Sequence, residues 1–147
     1  MKNELIHLLT SIGIIIGFYC FTSKQADRKI EEIITQEYRL PTSVGKSDFG
    51  DMNDWILLLP GKKDKIINCA LNNLELIYNH QPGGWVFSAL LEFTRNYSPK
   101  REKEVKKSIY NFLLLKKDSQ LLYEIGDIFG YSDFKNKAIE LGYIPKK

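Results

Sequence analysis

Histidine and cysteine are scarce in this 147-residue chain, with two of each: His7 and His80, Cys20 and Cys69. Neither the number nor the spacing of the cysteines suggests a disulfide framework or a metal site. So few imidazoles also limit histidine-dependent acid–base chemistry. Charge of one sign is lacking as well. Lys and Arg number 21 against 18 Asp and Glu, interspersed, for a net charge of +3. That is well short of the one-sided charge of a dedicated nucleic-acid binder. Strand signals are nearly absent, and there is no internal repeat or low-complexity segment. Gly45-Lys46-Ser47 lacks the upstream glycine and the preceding strand of a phosphate loop. No enzyme, metal, cofactor or nucleic-acid partner is expected.

What is present is helix. The hydrophobic fraction of 44% at this length suits one globular domain with a real core. The stretch Asp64–Asn79 carries Ile66, Ile67, Ala70, Leu71, Leu74, Ile77 and Tyr78 at spacings of three and four, with Cys69 and Leu76 widening the apolar arc. Only a thin strip of Asn68, Asn72, Glu75 and Asn79 stays polar, which predicts a helix surrounded by other helices.

The other elements follow from punctuation. Residues 24–39 read as a modest amphipathic helix with Ile30, Ile33, Ile34 and Tyr38 on one face, ended by Leu40-Pro41. Thr42–Gly50 reads as a loop, and Trp55–Leu59 as a short helix, with a strand as the alternative. A helix follows from Trp85 to Tyr97, with Val86, Leu90, Phe93 and Tyr97 inward. Ser98-Pro99 opens the next, striped by Val105, Ile109, Phe112 and Leu113. Asp118 or Ser119 caps a helix with Leu121, Leu122, Ile125, Ile128 and Phe129, closed by Gly130. Ser132 caps a last one with Phe134, Ala138 and Leu141. The expectation is an all-α bundle of about six helices packed around 64–79, spanning residues 24–147 and preceded by an N-terminal apolar helix.

That N-terminal segment, Leu5–Phe21, has no acid or strong base and just reaches the roughly 17 residues a spanning helix needs. A membrane anchor is expected over residues 1–23. A cleaved signal sequence and a helix buried in the core are the rivals, and no small-x-small pair sits cleanly before Thr22 or Lys24. Lys24, Arg28 and Lys29 would keep the folded part cytoplasmic, whereas Glu31 and Glu32 pull the other way.

Candidate chemistry is sparse. Cys69 lies in an apolar helix, where a small buried hydrophobe is the default, and His80 sits where it can meet free helix carbonyls. Asp48, Asp51 and Asp54 suit helix caps. The basic run Lys100–Lys107 reads as a solvated face, with membrane phospholipid or an acidic partner as the functional alternatives. The sharpest break in the chain, His80-Gln81-Pro82-Gly83-Gly84-Trp85, pairs a free backbone path with one large aromatic side chain. It is the leading candidate for partner contact through His80, Gln81, Gly83, Gly84 and Trp85, and the acidic turn Asp48–Asp51 is the next.

From Cys69 onward the order of features resembles the small helical immunity proteins that neutralise type VI secretion amidase effectors. The shared elements are a cysteine-bearing helix, Ser88-Ala89-Leu90, Glu104-Val105 through Phe112-Leu113, and Leu122 through Asp127-Ile128-Phe129 with Ser132 a turn later. Ile125 and Gly126 stand near where that family offers a second cysteine, so its disulfide is not carried across. The resemblance implies an exported, often dimeric bacterial protein of the cell envelope, inner-membrane anchored or periplasmic. Such a protein occludes the cleft of a peptidoglycan amidase toxin with a protruding loop. A membrane-tethered helical adaptor of the envelope is the alternative.

Overall fold

The computed structural model describes residues 16–17, 19–31, 59–80 and 85–145, with the backbone alone at His80, Trp85 and Val86. Among the described residues there are seven helices and no strand: α1 (19–31, with 16–17 also helical), α2 (Lys62–Asn72), α3 (Leu74–His80), α4 (Trp85–Tyr97), α5 (Pro99–Lys116), α6 (Ser119–Phe129) and α7 (Ser132–Glu140). The all-α bundle expected from the sequence is what the chain forms.

The predicted single helix over Asp64–Asn79 is corrected: it is two helices, broken at Asn73. The cause is local competition for a carbonyl. Asn73 Nδ2 donates to the Cys69 carbonyl oxygen at 2.7 Å, the acceptor that an α-helical Asn73 N–H would use. The Asn73 N–H turns to Ala70 O at 3.1 Å, φ opens to −121°, and α3 restarts when Ile77 N–H donates to Asn73 O. The stretch still buries Ile66, Ile67, Ala70 and Ile77, whereas Leu74, expected near the centre of the arc, is half-buried.

The helix that reaches most of the others is α5. Ser98 precedes it in extended conformation and Pro99 occupies its first turn, where a missing N–H is harmless. Val105, Ile109 and Leu113 form a fully buried stripe. Phe112 meets Tyr78 of α3 and Phe87 of α4 edge-on, at centroid separations of 5.5 and 6.0 Å, and Tyr110 meets Phe134 of α7 at 4.9 Å. Core residues come from every helix, including Ala26 and Ile30 of α1.

Of the two caps expected for α6, Asp118 is the one used: its Oδ1 accepts from Leu121 N–H at 3.0 Å. Gly130 ends the helix at φ 70°. Helices α6 and α7 then fold back on each other with Gly126 at the closest approach. A β-carbon there would lie 2.7 Å from Lys135 Cγ and 3.0 Å from both Lys135 N and Phe134 Cβ. This contact fixes which face of α6 points inward. Ile128 stands about 200° round the helix from Gly126 at about 100° per residue, so it is 67% exposed rather than in the core as expected. Leu141, expected inward on the last helix, lies past its end and is also exposed.

The expected anchor, Leu5–Phe21, lies mostly outside the described residues. Its described members Ile16, Gly17, Tyr19, Cys20 and Phe21 are helical and exposed. No helix among the described residues is long and apolar enough to cross a membrane. Ile33, Ile34 and Tyr38, the loop Thr42–Gly50 and the segment Trp55–Leu59, apart from Leu59, lie outside the described residues.

Replacing Gly126 by alanine should destabilise the fold by about 1–3 kcal/mol, because the added methyl forces α6 and α7 apart against backbone and near-backbone atoms. Helix propensity alone would give the opposite sign. Chemical denaturation decides between them, and an unchanged or raised midpoint would mean the two helices are not in this close contact.

Candidate functional site

The sequence-predicted contact residues are only partly placed. His80 is the last residue of α3 and Trp85 the first of α4, so the predicted break joins these two helices. Gln81, Gly83 and Gly84, together with Asp48 and Asp51, lie outside the described residues. Cys69 is half-buried against the core. Burial raises its thiol pKa, the Glu31 carboxylate adds to the rise, and Asn73 Nδ2 stands 3.8 Å from its sulfur. A thiol held protonated in this way is a poor nucleophile.

The structure also gathers polar groups that no linear spacing announces. At the junction of α4, α5 and the α6–α7 turn, Glu102 Oε1 accepts from Arg95 Nε at 3.0 Å and from the Tyr131 hydroxyl at 2.9 Å. The Arg95 guanidinium lies 5.0 Å from the Phe129 ring centroid and 5.8 Å from that of Tyr131. Lys106 Nζ sits 4.3 Å over the other part of the same aromatic group, the Tyr131 ring, and 3.0 Å from Asp133. Phe129 stacks on Tyr131 at a centroid separation of 5.6 Å, and Tyr131 meets Phe134 tilted by 47° at 5.4 Å. Both cations thus lie against the central ring, Tyr131, with Arg95 reaching on to Phe129 and Lys106 to Phe134, and one carboxylate ties two helices to the turn.

A second cluster joins α2 to the α4–α5 corner. Tyr97 donates its hydroxyl to Asp64 Oδ2 at 2.8 Å, and Lys63 Nζ lies 5.3 Å from the Tyr97 ring centroid. Arg101 reaches Glu104 and Asn68 with its terminal nitrogens. Its Nε stands 3.1 Å from Asp64 Oδ1, close enough for ion pairing but too poorly aligned for a hydrogen bond. A third contact, Lys62 Nζ on Asp27 Oδ1 at 2.7 Å with the lysine side chain 8% exposed, fastens α1 to α2.

These environments fix how the groups titrate. Burial pushes the Glu102 carboxyl up, but hydrogen bonds from Arg95 and Tyr131 outweigh it and hold it below the ordinary carboxylate range. The Tyr131 phenol is raised by burial and then by its bond to Glu102. Tyr97 and Tyr78 are raised chiefly by donating to Asp64 and Asp118. Each of these phenols therefore stays protonated near neutral pH and keeps donating. The carboxylates Asp27, Asp64, Glu102, Asp118 and Asp133 are each engaged by a cation, a phenol or a helix N–H. Chemically the arrangement holds helices together and presents a fixed surface. No group of three or more metal-ligating side chains is gathered among the described residues. In sequence Lys100–Lys107 is one basic run; in the fold, Arg101 and Lys106 turn inward to acids while Lys100, Lys103 and Lys107 stay exposed. Helical spacing separates Lys100, Lys103 and Lys107 from the other two, but it cannot show which face would meet carboxylates.

Comparison with known protein families, with curated protein sequences and with solved structures finds no match to this chain.

The lowered Glu102 carboxyl carries a pH signature. Its stabilising contribution is present in full above the unfolded carboxylate value of about 4.3 and is lost as the pH falls through the lower folded value. Denaturation midpoints measured from neutral pH into the acid range should fall more steeply for the natural chain than for Glu102→Gln. Parallel acid slopes would remove Glu102 from the stabilising network.

Proposed function

We propose that the protein is a non-enzymatic binding module tethered to the bacterial cell envelope, and that the partner it holds is a protein toxin that it neutralises. The observation that carries the tether is the start of α1. Tyr19 and Phe21, with Ile16 just upstream, are 40, 59 and 56% exposed on one short helical stretch, while the same helix buries Ala26 and Ile30 one and two turns later. Large apolar side chains grouped at the start of one helix call for cover, and the uncharged run Leu5–Phe21 supplies lipid as that cover.

Support for a binding rather than a catalytic role comes from the polar clusters, whose acids and bases are consumed in pinning helices to one another. A stiff bundle of this kind loses little conformational freedom when it meets a partner. The toxin as partner comes from the resemblance to amidase-effector immunity proteins over Ile66–Ala138. On that reading the segment His80–Trp85 between α3 and α4 enters the toxin's cleft, Trp85 supplies the buried area, and Asp48–Asp51 adds a second contact.

Two measurements test this. Full-length protein should remain in membranes through alkaline carbonate extraction; recovery of the intact chain in the soluble fraction would end the tether. Affinity capture from those membranes should return one stoichiometric protein partner that arrests growth when expressed alone and not when this chain accompanies it. A captured partner without toxicity would replace the inhibitor by an envelope adaptor. Gln81→Ala combined with Gly83→Asp should leave the circular dichroism spectrum unchanged and abolish capture.

A further inference from the structure

The helix directions give the bundle two unlike ends. Asp27 and Glu31 of α1 meet Lys62 and Lys65 of α2, so these helices run parallel. Asp64 of α2 meets Arg101 in the first turns of α5, and Glu75 of α3 meets Lys116 in its last turn, so α5 runs the same way. Helix α4 runs against them, with Phe87 on Phe112 and Arg95 on Glu102. One end of the bundle therefore collects the start of α2, the α4–α5 corner and the α6–α7 turn, whose Tyr131 also reaches Glu102. From this end α1 projects upstream. At about 1.5 Å per residue, Phe21 and Tyr19 lie about 9 and 12 Å before the level of Asp27, and both are exposed.

The charges at that end are not balanced. Among the described residues, most acids there are taken up: Asp27 by Lys62, Asp64 by Arg101 and Tyr97, Glu102 by Arg95 and Tyr131, Glu104 by Arg101, Asp127 by Lys135, and Asp133 by Lys106. Glu92 is exposed one turn before Arg95 on α4, about 3 Å deeper than Lys103, and offsets part of this charge. Lys24, one turn before Asp27, and Lys100 and Lys103 at the start of α5 are exposed, with no acid partner among the described residues. Lys63 has only the Tyr97 ring. Ile128, beside Phe129 at the same end, is 67% exposed.

We propose that this end of the bundle is a docking face for anionic lipid, read by Lys24, Lys63, Lys100 and Lys103 with Ile128 as an apolar edge. The proposal rests on the membrane-tether reading above and goes beyond it by naming the face and the headgroup chemistry. An acidic protein would satisfy the lysines alone. Lipid satisfies them together with the apolar side chains of α1, because whatever surrounds Tyr19 and Phe21 lies directly against this end. Each lysine near an anionic surface adds about fivefold to association, screened by salt. The tether then holds the domain end-on, with the far end, at Lys116–Gln120 and the end of α3, turned away from the bilayer.

The test uses the full chain, with Cys20 and Cys69 replaced by serine and alanine, incorporated into vesicles of phosphatidylcholine alone or mixed with phosphatidylglycerol. A fluorophore is placed at Asn96→Cys on the near end or at Gln120→Cys on the far end, and quenched by lipid carrying a headgroup spin label. Quenching at position 96 should appear with phosphatidylglycerol, fall with salt and be absent at position 120. Lys100→Glu with Lys103→Glu should lose most of it, while the chain still floats with the vesicles and keeps its helical circular dichroism. A chain that does not float overturns the tether and this face with it. A chain that floats with position 96 unquenched, or equally quenched on both vesicle types, overturns the lipid face alone and leaves the tether standing. Undiminished quenching in the glutamate variant removes the lysines, and if that variant also loses a captured acidic protein, the face belongs to that protein instead.

Discussion

The buried stripe Val105–Ile109–Leu113 is the constraint the rest of the fold depends on. These side chains are fully removed from water, and the helix that carries them is the one in contact with both halves of the bundle. On one side Phe112 engages Tyr78 and Phe87, and on the other Tyr110 engages Phe134. Burial of apolar area is non-directional, so the stripe holds α5 inside without choosing its register. The polar groups along its flanks do that. Arg101, Glu102, Lys106 and Lys116 each reach a different helix or turn, which sets the order and direction of the helices round the stripe.

Lys62 shows the same division of labour at the edge of the core. Its ammonium is nearly withdrawn from solvent and pairs with Asp27, which remains 39% exposed. A pair so placed adds little net stability by itself, since desolvation opposes attraction, but removing one partner strands the other charge. Its structural effect is to fix how far α1 is advanced relative to α2. With Ala26 and Ile30 seated in the core, that register decides which residues of α1 lie beyond the bundle. The exposed apolar start of α1 follows from this register, which the Lys65–Glu31 pair shares in setting.

The polar clusters also bear on function. A general acid, base or nucleophile works because some of its interactions change during reaction. In the Arg95–Glu102–Tyr131 and Asp64–Tyr97–Arg101 groups the partners instead satisfy one another, and the raised phenols and the lowered carboxyl favour the protonation states that keep those bonds. Such groups fasten the corner between helices to its neighbours.

Local patterning determined the helices α4 to α7 almost to the residue, because Ser98-Pro99, Asp118 and Gly130 act through bonds and dihedral angles within a few residues of themselves. It also determined the stripe on α5, since helical period alone puts Val105, Ile109 and Leu113 on one face. The signal for the break at Asn73 was present in the sequence as an asparagine inside an apolar helix, yet its side chain had the choice of solvent or the Cys69 carbonyl. Tertiary packing decided the rest. Whether Ile128 faced core or water depended on the Gly126 contact with α7, and which basic residues of Lys100–Lys107 stayed unpaired depended on where Asp64 and Asp133 came to lie. The gathering of lysines exists only in three dimensions: among the described residues, folding draws most acids into pairs and brings Lys24, Lys63, Lys100 and Lys103 toward one end of the bundle.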